Sequence, residues 1–184
     1  VLKFCLVQHT GNKNVSFRLL EQRDQQSLYR YLNQLSPESK SRFGPHPFDC
    51  MTTIEICDDL YGDTIYFIAE DAHNNIIAYM LIRKGILDAD KNRYHQYNIY
   101  FDEIQTATYA PSVADDWQNS GLGTAMFQHI LIELNNNGYK NLVLWGGVQT
   151  LNQRAVHFYS KHHFKKAGSF WYQGKDNLDM FLEL

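Results

Sequence analysis

The run SGLGTAMFQHILIELNNNG, residues 120–138, constrains this chain more than any other. Leu122, Met126, Ile130 and Leu134 recur every four residues, which is one apolar stripe of a helix. Gly121 and Gly123 open the run, and Gly138 after a row of asparagines supplies a left-handed stop. Ahead of it EIQTATYAPSVAD reads as a strand, and behind it KNLVLWGG reads as a buried one. A helix that must bury a stripe between two strands commits the chain to a mixed α/β sheet.

Elsewhere the pattern is consistent with that sheet. KFCLVQ and VSFRLLEQ are short apolar runs joined by HTGNKN, which predicts an opening hairpin. Asp24 is placed to cap a helix carrying Leu28, Tyr31, Leu32 and Leu35, and SPES offers a Ser N-cap with Pro at the first helical position. FGPHPFD, with two prolines and a glycine, predicts a stiff loop. Asp49 then caps a short helix expected to turn Met51, Ile54, Cys57 and Leu60 to one side. TIYFIAED and NIIAYMLIRKG read as strands around a DAHNN turn, and residues 86–101, polar and then tyrosine-rich, as an extended hairpin arm or insertion. In the strand before the glycine turn Pro111 removes a ladder donor, so an edge, bulge or splay is expected there. NQRAVHFYSKHH reads as a helix starting at Asn152, and FKKAGSFWYQ and LDMFLEL as a closing pair of strands.

Composition narrows the function. With 184 residues, 44% of them apolar, the chain suits one domain spanning 1–184. A formal charge of -3 lacks the basic excess that a nucleic-acid groove needs. Cys5, Cys50 and Cys57 stand at no metal-ligand spacing and are odd in number, which suits reduced thiols and a cytoplasmic protein. No apolar run reaches the roughly 20 residues of a membrane span, so no membrane partner is expected. His157, His162 and His163 lack the i, i+4 spacing of a helical zinc pair, and no metal site is expected.

A strand end, a glycine turn and a helix N-terminus form either an ordinary tight connection or an anion site, since first-turn amides and the helix dipole both favour negative charge. A P-loop is excluded because Gly123 leads into Thr124 and Ala125 instead of Lys and Ser or Thr. A dinucleotide fingerprint fits badly, since Met126 takes the third glycine position and the next strand ends in LWGG without an acidic residue.

Gln118-Asn119-Ser120-Gly121-Leu122-Gly123 resembles the Gln/Arg-x-x-Gly-x-Gly/Ala motif of the GNAT superfamily of acetyl-CoA-dependent N-acetyltransferases. Val113 to Trp117 resembles the end of that family's fourth strand, and LNQRAVHFYSKHHF its second motif, with Asn152, Ala155, Tyr159 and Phe164 in register. The resemblance covers residues 64 to 184 well and 15 to 63 loosely. It implies a mostly antiparallel sheet of six to seven strands, splayed at the fourth and fifth and flanked by about four helices. It also implies transfer of acetyl from acetyl-CoA to a primary amine of a small molecule or peptide, by direct attack in a ternary complex, in a monomer or homodimer without metal.

Carried across residue by residue, the resemblance has backbone at Val113, Ala114 and Asp115 holding the pantetheine arm, with an amide near Val113 polarising the thioester carbonyl. Amides from Gln118, Asn119, Ser120, Gly121, Leu122, Gly123 and Thr124 take the pyrophosphate. Asn152 either orients the pantetheine or simply caps its helix. Tyr159 either protonates the leaving thiolate or is a core tyrosine. Phe43, His46 and Phe48 of the proline loop, with Tyr109, either wall the acceptor pocket or close the core. Two positions depart from the family. His163 stands where a glycine usually precedes Phe, and Ala107 stands where some members carry a glutamate base, with no carboxylate on that face nearer than Glu103. A non-catalytic acyl-CoA sensor or an interaction module on the same fold is the alternative.

Overall fold

The computed structural model describes residues 5–10 and 13–184. Nine strands and six α-helices occur among them. In chain order they are β1 (Cys5–Thr10), β2 (Lys13–Leu19), α1 (Gln25–Gln34), α2 (Pro37–Ser41), α3 (Cys50–Asp58), β3 (Thr64–Glu70), β4 (Ile76–Lys84) and α4 (Asp88–Gln96). There follow β5 (Thr106–Val113), α5 (Leu122–Asn136), β6 (Asn141–Leu144), β7 (Val148–Gln149), α6 (Gln153–Lys161), β8 (Lys165–Tyr172) and β9 (Lys175–Glu183). This is the expected mixed architecture. Strands β5 and β6 run parallel while β1–β2, β2–β3, β6–β9, β7–β9 and β8–β9 pair antiparallel. Counted from β2, the fourth and fifth strands are β5 and β6; β1 and the two-residue β7 bring the number above the expected seven.

Two compact units divide the chain: one runs up to Ile82 and includes Pro111–Glu133, the other holds Arg83–Ala110 and Leu134–Leu184. Strands β4 and β5 and helix α5 run through both.

In the first unit the opening hairpin forms as expected, from Cys5↔Arg18 to Thr10↔Lys13; residues 11–12 of its turn lie outside the described residues. Strand β2 pairs with β3, and β3 turns into β4 through Asp71, whose carboxylate accepts from the amides of His73 and Asn75, both at 2.9 Å. Asp24 sits at the N-cap position of α1 but does not cap it. Its carboxylate takes both Arg18 guanidinium NH groups, at 2.5 and 2.8 Å, and the Glu21 amide at 2.8 Å. Charge-assisted bidentate bonds outweigh a cap bond, and Glu70 holds the rest of the same guanidinium at 2.6 and 2.7 Å. Ser36 and Asp49 do cap α2 and α3, accepting from Ser39 and Thr52 amides at 3.1 and 2.8 Å. The buried face of α3 is Thr53, Ile56 and Cys57, with Met51 exposed, so the expected face is corrected by about a quarter turn. Thr53 can lie inward because its hydroxyl donates to the Cys50 carbonyl at 2.8 Å.

In the second unit residues 86–101 are not a hairpin arm. Asp88–Gln96 of this segment form α4, a helix obscured because its inward face carries a carboxylate as well as Tyr94. Asp90 and Asp179 are both buried against Arg93, which donates to Asp90 at 2.5 Å and bidentately to Asp179 at 2.9 Å. Arg93 also stacks on Phe170, 3.7 Å from its ring centre, and Tyr97 donates to Asp179 at 3.1 Å. Tyr94 donates to the Met180 carbonyl at 2.9 Å, inside a cluster with Ile86, Val143 and Phe181. The tyrosines therefore seat a helix against β9 instead of decorating an arm. A β-bulge between Lys166 and Gly168 lets the Tyr97 ring lie on Gly168, where a Cβ would meet it at 2.3 Å.

Helix α5 buries Leu122, Met126, Ile130 and Leu134, as their spacing predicts, and ends at Gly138 with φ 80°. Among the described residues no helix is long and apolar enough to cross a membrane, and no three His, Cys, Asp or Glu side chains gather as metal ligands would.

Candidate active site

The residues singled out from the sequence divide between the two units. In the first lie the end of β5, the glycine turn and the proline loop. The β5–β6 ladder closes at Tyr109↔Leu144, with Trp145 donating to the Tyr109 carbonyl at 3.0 Å, and β5 runs on to Val113. Strand alternation then assigns its backbone groups. Ala114 donates to the Ile77 carbonyl of β4 at 2.9 Å, so Ser112 and Ala114 face β4 while Tyr109, Pro111 and Val113 face the other edge. On that edge Pro111 offers no donor and Val113 offers one, beyond the last rung of β6. The edge, bulge or splay expected near Pro111 falls where the ladder ends, at Tyr109↔Leu144, and the strand edge beyond it is of the kind an extended amide-bearing arm could pair with.

After Val113 the chain makes a single 3-10 turn, Asp115–Trp117, and then enters α5 through Asn119 at φ 60° and Gly121 at φ 86°. Gln118, just before them, is extended, and its amide donates to the Asp115 carbonyl at 3.3 Å. The first bond of α5 runs from Ala125 to the Gly121 carbonyl at 3.0 Å, so the amides of Leu122 and Gly123 have no carbonyl partner within the helix. Ser120 braces the turn, donating to the Trp117 carbonyl at 2.5 Å, and its Oγ lies 3.4 Å from the Leu122 amide. Gly121 is required by its backbone angle, and a Cβ there would meet nothing within 4 Å. The Gln118 side chain faces inward, donating to the Val113 carbonyl at 3.1 Å and to Ser39 at 3.3 Å.

Phe43, His46 and Phe48 form one aromatic cluster, with ring centres 5.2 to 6.3 Å apart. It is completed by a residue that sequence patterning did not reveal, Tyr79 of β4, fully buried within an aliphatic run. His46 donates from Nδ1 to the Pro47 carbonyl at 2.7 Å, which leaves Nε2 to accept from the Tyr79 hydroxyl at 3.2 Å. Burial lowers the His46 pKa, favouring this neutral tautomer. Tyr79 in turn stacks on Tyr66, 6.1 Å away and nearly parallel. Tyr31 and Ser112 form a further unforeseen pair, their hydroxyl oxygens 2.8 Å apart at the end of β5.

In the second unit lie Tyr109, Asn152 and Tyr159. Asn152 caps α6, accepting from the Ala155 amide at 3.3 Å. Tyr159 is 7% exposed, packed between Phe158 and Phe164. Its hydroxyl has no hydrogen-bond partner among the described residues, and burial raises its pKa. Burial also raises the pKa of Tyr109, and the Tyr159 phenol adds to the effect. His163 adopts φ 65°, the left-handed cap where a glycine would be unstrained. Ala107 is fully buried, and Glu103 is outside β5 in an ion pair with Lys91, so β5 carries no carboxylate at the position of the family's base.

The sequence matches the family described as acetyltransferase (GNAT) domain over residues 62–166. That is more than half of the 184 residues, and the chain belongs to this family of acyltransferases. Among solved structures, the GNAT domain of an S. lividans PAT protein superposes with TM-score 0.75 at 16% identity, covering 99% of this chain and 97% of that one. A ribosomal-protein-S5-alanine acetyltransferase from Vibrio fischeri gives 0.74 at 12% identity, covering 98% and 97%. A GNAT-family acetyltransferase from Streptococcus pneumoniae gives 0.67 at 19%, covering 92% and 99%. No curated protein sequence matches significantly.

Proposed function

We propose that this acyltransferase moves an acetyl group from acetyl-CoA to a primary amine of a small molecule or peptide, by direct attack without a covalent enzyme intermediate. The observation that carries the proposal is the pairing of a strand edge that outlasts its neighbour, with a donor at Val113, and an amide-rich turn leading into α5. Pantetheine would add to that edge as an extended strand does, and the Val113 amide would polarise the thioester carbonyl. The pyrophosphate would sit on amides of the turn from Asn119 to Thr124; the Gln118 amide expected to join them donates instead to the Asp115 carbonyl at 3.3 Å. Tyr159 would give its proton to the thiolate leaving group, a role suited to a desolvated phenol with no internal partner. Asn152 would orient the pantetheine only as an addition to its capping bond. The aromatic cluster of Phe43, His46 and Phe48 would wall the acceptor side. Without a strand carboxylate, the amine would arrive neutral or lose its proton to water.

Calorimetric titration with acetyl-CoA, followed by thioester loss across an amine panel, tests this. Binding and turnover are both expected; binding without turnover on any amine would favour a non-catalytic acyl-CoA sensor. Gly123→Glu places a carboxylate in the first turn of α5 at a residue whose φ is not positive, so its fold should survive. Gly121→Glu adds left-handed strain of about 1–2 kcal/mol as well. Both are expected to abolish coenzyme A binding, and unchanged affinity in the folded Gly123→Glu protein sinks the assignment of the turn.

A further inference from the structure

The turn read as an anion site is preceded by two carboxylates, Asp115 and Asp116, and negative charge there opposes the binding of a pyrophosphate. The structure distinguishes the two. Asp116 makes no hydrogen bond among the described residues. Asp115 turns its carboxylate onto the junction of α1 and α2, where Oδ2 accepts from the Ser36 amide at 2.9 Å and Oδ1 accepts from the hydroxyls of Ser36 and Ser39 at 2.8 and 2.6 Å. Ser39 is in turn reached by the Gln118 side chain, whose amide also grips the Val113 carbonyl. Both ends of the segment 113–118 are thereby fastened to one point, the first turn of α2.

We propose that Asp115 is a positioning residue, which with Ser36 and Ser39 clamps the 113–118 segment so that the turn presents its amides to the coenzyme A pyrophosphate. The clamp rests on the proposed role of the turn. Its carboxylate is occupied by three donors, so its charge is spread over them and its cost to a neighbouring phosphate falls. The same donors hold the Asp115 pKa below the usual carboxylate range, keeping the clamp ionised at neutral pH. Because α2 leads directly into the proline loop, the clamp also ties the coenzyme turn to the segment proposed to meet the acceptor.

The sign of one substitution decides between clamp and bystander. If Asp115 were only a negative charge near the site, Asp115→Asn would tighten coenzyme A binding, as Asp116→Asn should do slightly. As a clamp residue, Asp115→Asn turns an amide group toward donors, and the dissociation constant should rise about five- to tenfold. Ser39→Ala should weaken binding in the same direction, and Ser39→Thr, which keeps the hydroxyl, should restore it. In steady-state kinetics the loss should fall on the KM for acetyl-CoA in Asp115→Asn and Ser39→Ala, rising in step with the dissociation constant, and Ser39→Thr should bring it back toward wild type. Calorimetry with coenzyme A on the full chain, with thermal melting as a folding control, supplies the readout. Tighter or equal binding in Asp115→Asn, or equal loss in Ser39→Ala and Ser39→Thr, overturns the clamp. A wild-type protein that binds no coenzyme A refutes the underlying role of the turn instead, and the two failures are separate.

Discussion

At the scale of the residue, Tyr159 shows how position changes the meaning of a side chain. A tyrosine on the apolar face of a helix is ordinary core, and this one is packed between two phenylalanine rings. What sets it apart is a hydroxyl that makes no hydrogen bond among the described residues and yet is not sealed from solvent, since it is absent from the buried polar atoms left unpaired. Burial raises its pKa, so the phenol keeps its proton at neutral pH and through the range where amines lose theirs. Tyr159→Phe is expected to lower the turnover rate about 10²–10⁴-fold with little change in acetyl-CoA affinity. Steady-state kinetics at saturating acetyl-CoA checks it, and a rate within twofold of wild type would mean the thiolate leaves unaided. For wild type the rate should rise with pH as the free amine fraction grows, with no sharp step from the enzyme near neutrality.

At the scale of the element, α4 depends on charge as much as on apolar contact. Arg93 is the only cation within reach of both buried carboxylates among the ion pairs described, and its aromatic stacking on Phe170 fixes the guanidinium plane. Arg93→Ala strands Asp90 and Asp179 in the interior and should destabilise the protein by about 3–5 kcal/mol. The pH dependence has a definite sign. Burial already raises the pKa of Asp90, with Gly146 and Arg93 acting against the rise. A carboxyl whose folded pKa is raised adds stability below its unfolded value and loses it as pH climbs through the folded value. Removing Arg93 removes part of what restrains that rise, so the deficit should shrink as pH falls toward the Asp range. Urea melts of wild type and variant at several pH values measure it; a deficit that grows on acidification contradicts the assignment.

At the scale of the whole molecule, two compact units share three continuous elements, β4, β5 and α5. A strand or helix loses its cooperative hydrogen bonding when half of it melts. We therefore propose that the units unfold together, in keeping with a single domain over 1–184. Calorimetry should give one transition with equal calorimetric and van't Hoff enthalpies, and two resolved transitions would contradict it.

Periodicity and turn chemistry were enough to establish the elements whose burial follows a simple stripe. The four-residue spacing of α5, the Ser36 and Asp49 caps, the closing hairpin and the left-handed strain at His163 are all local properties of the chain. The family was legible for the same reason, because a glycine turn before a helix and an Asn-capped helix after a strand are local motifs. What escaped was every feature whose partner is distant in sequence. Helix α4 was hidden because its inward Asp90 is neutralised by Arg93 in company with Asp179, 86 residues beyond the arginine. Asp24 left its cap for Arg18, Tyr79 joined His46 across 33 residues, and Asp115 reached Ser36 and Ser39 across 79 and 76. Backbone propensity and apolar patterning act between neighbours and can be read from order alone, whereas a buried charge or hydroxyl is tolerated only where the tertiary structure delivers its partner.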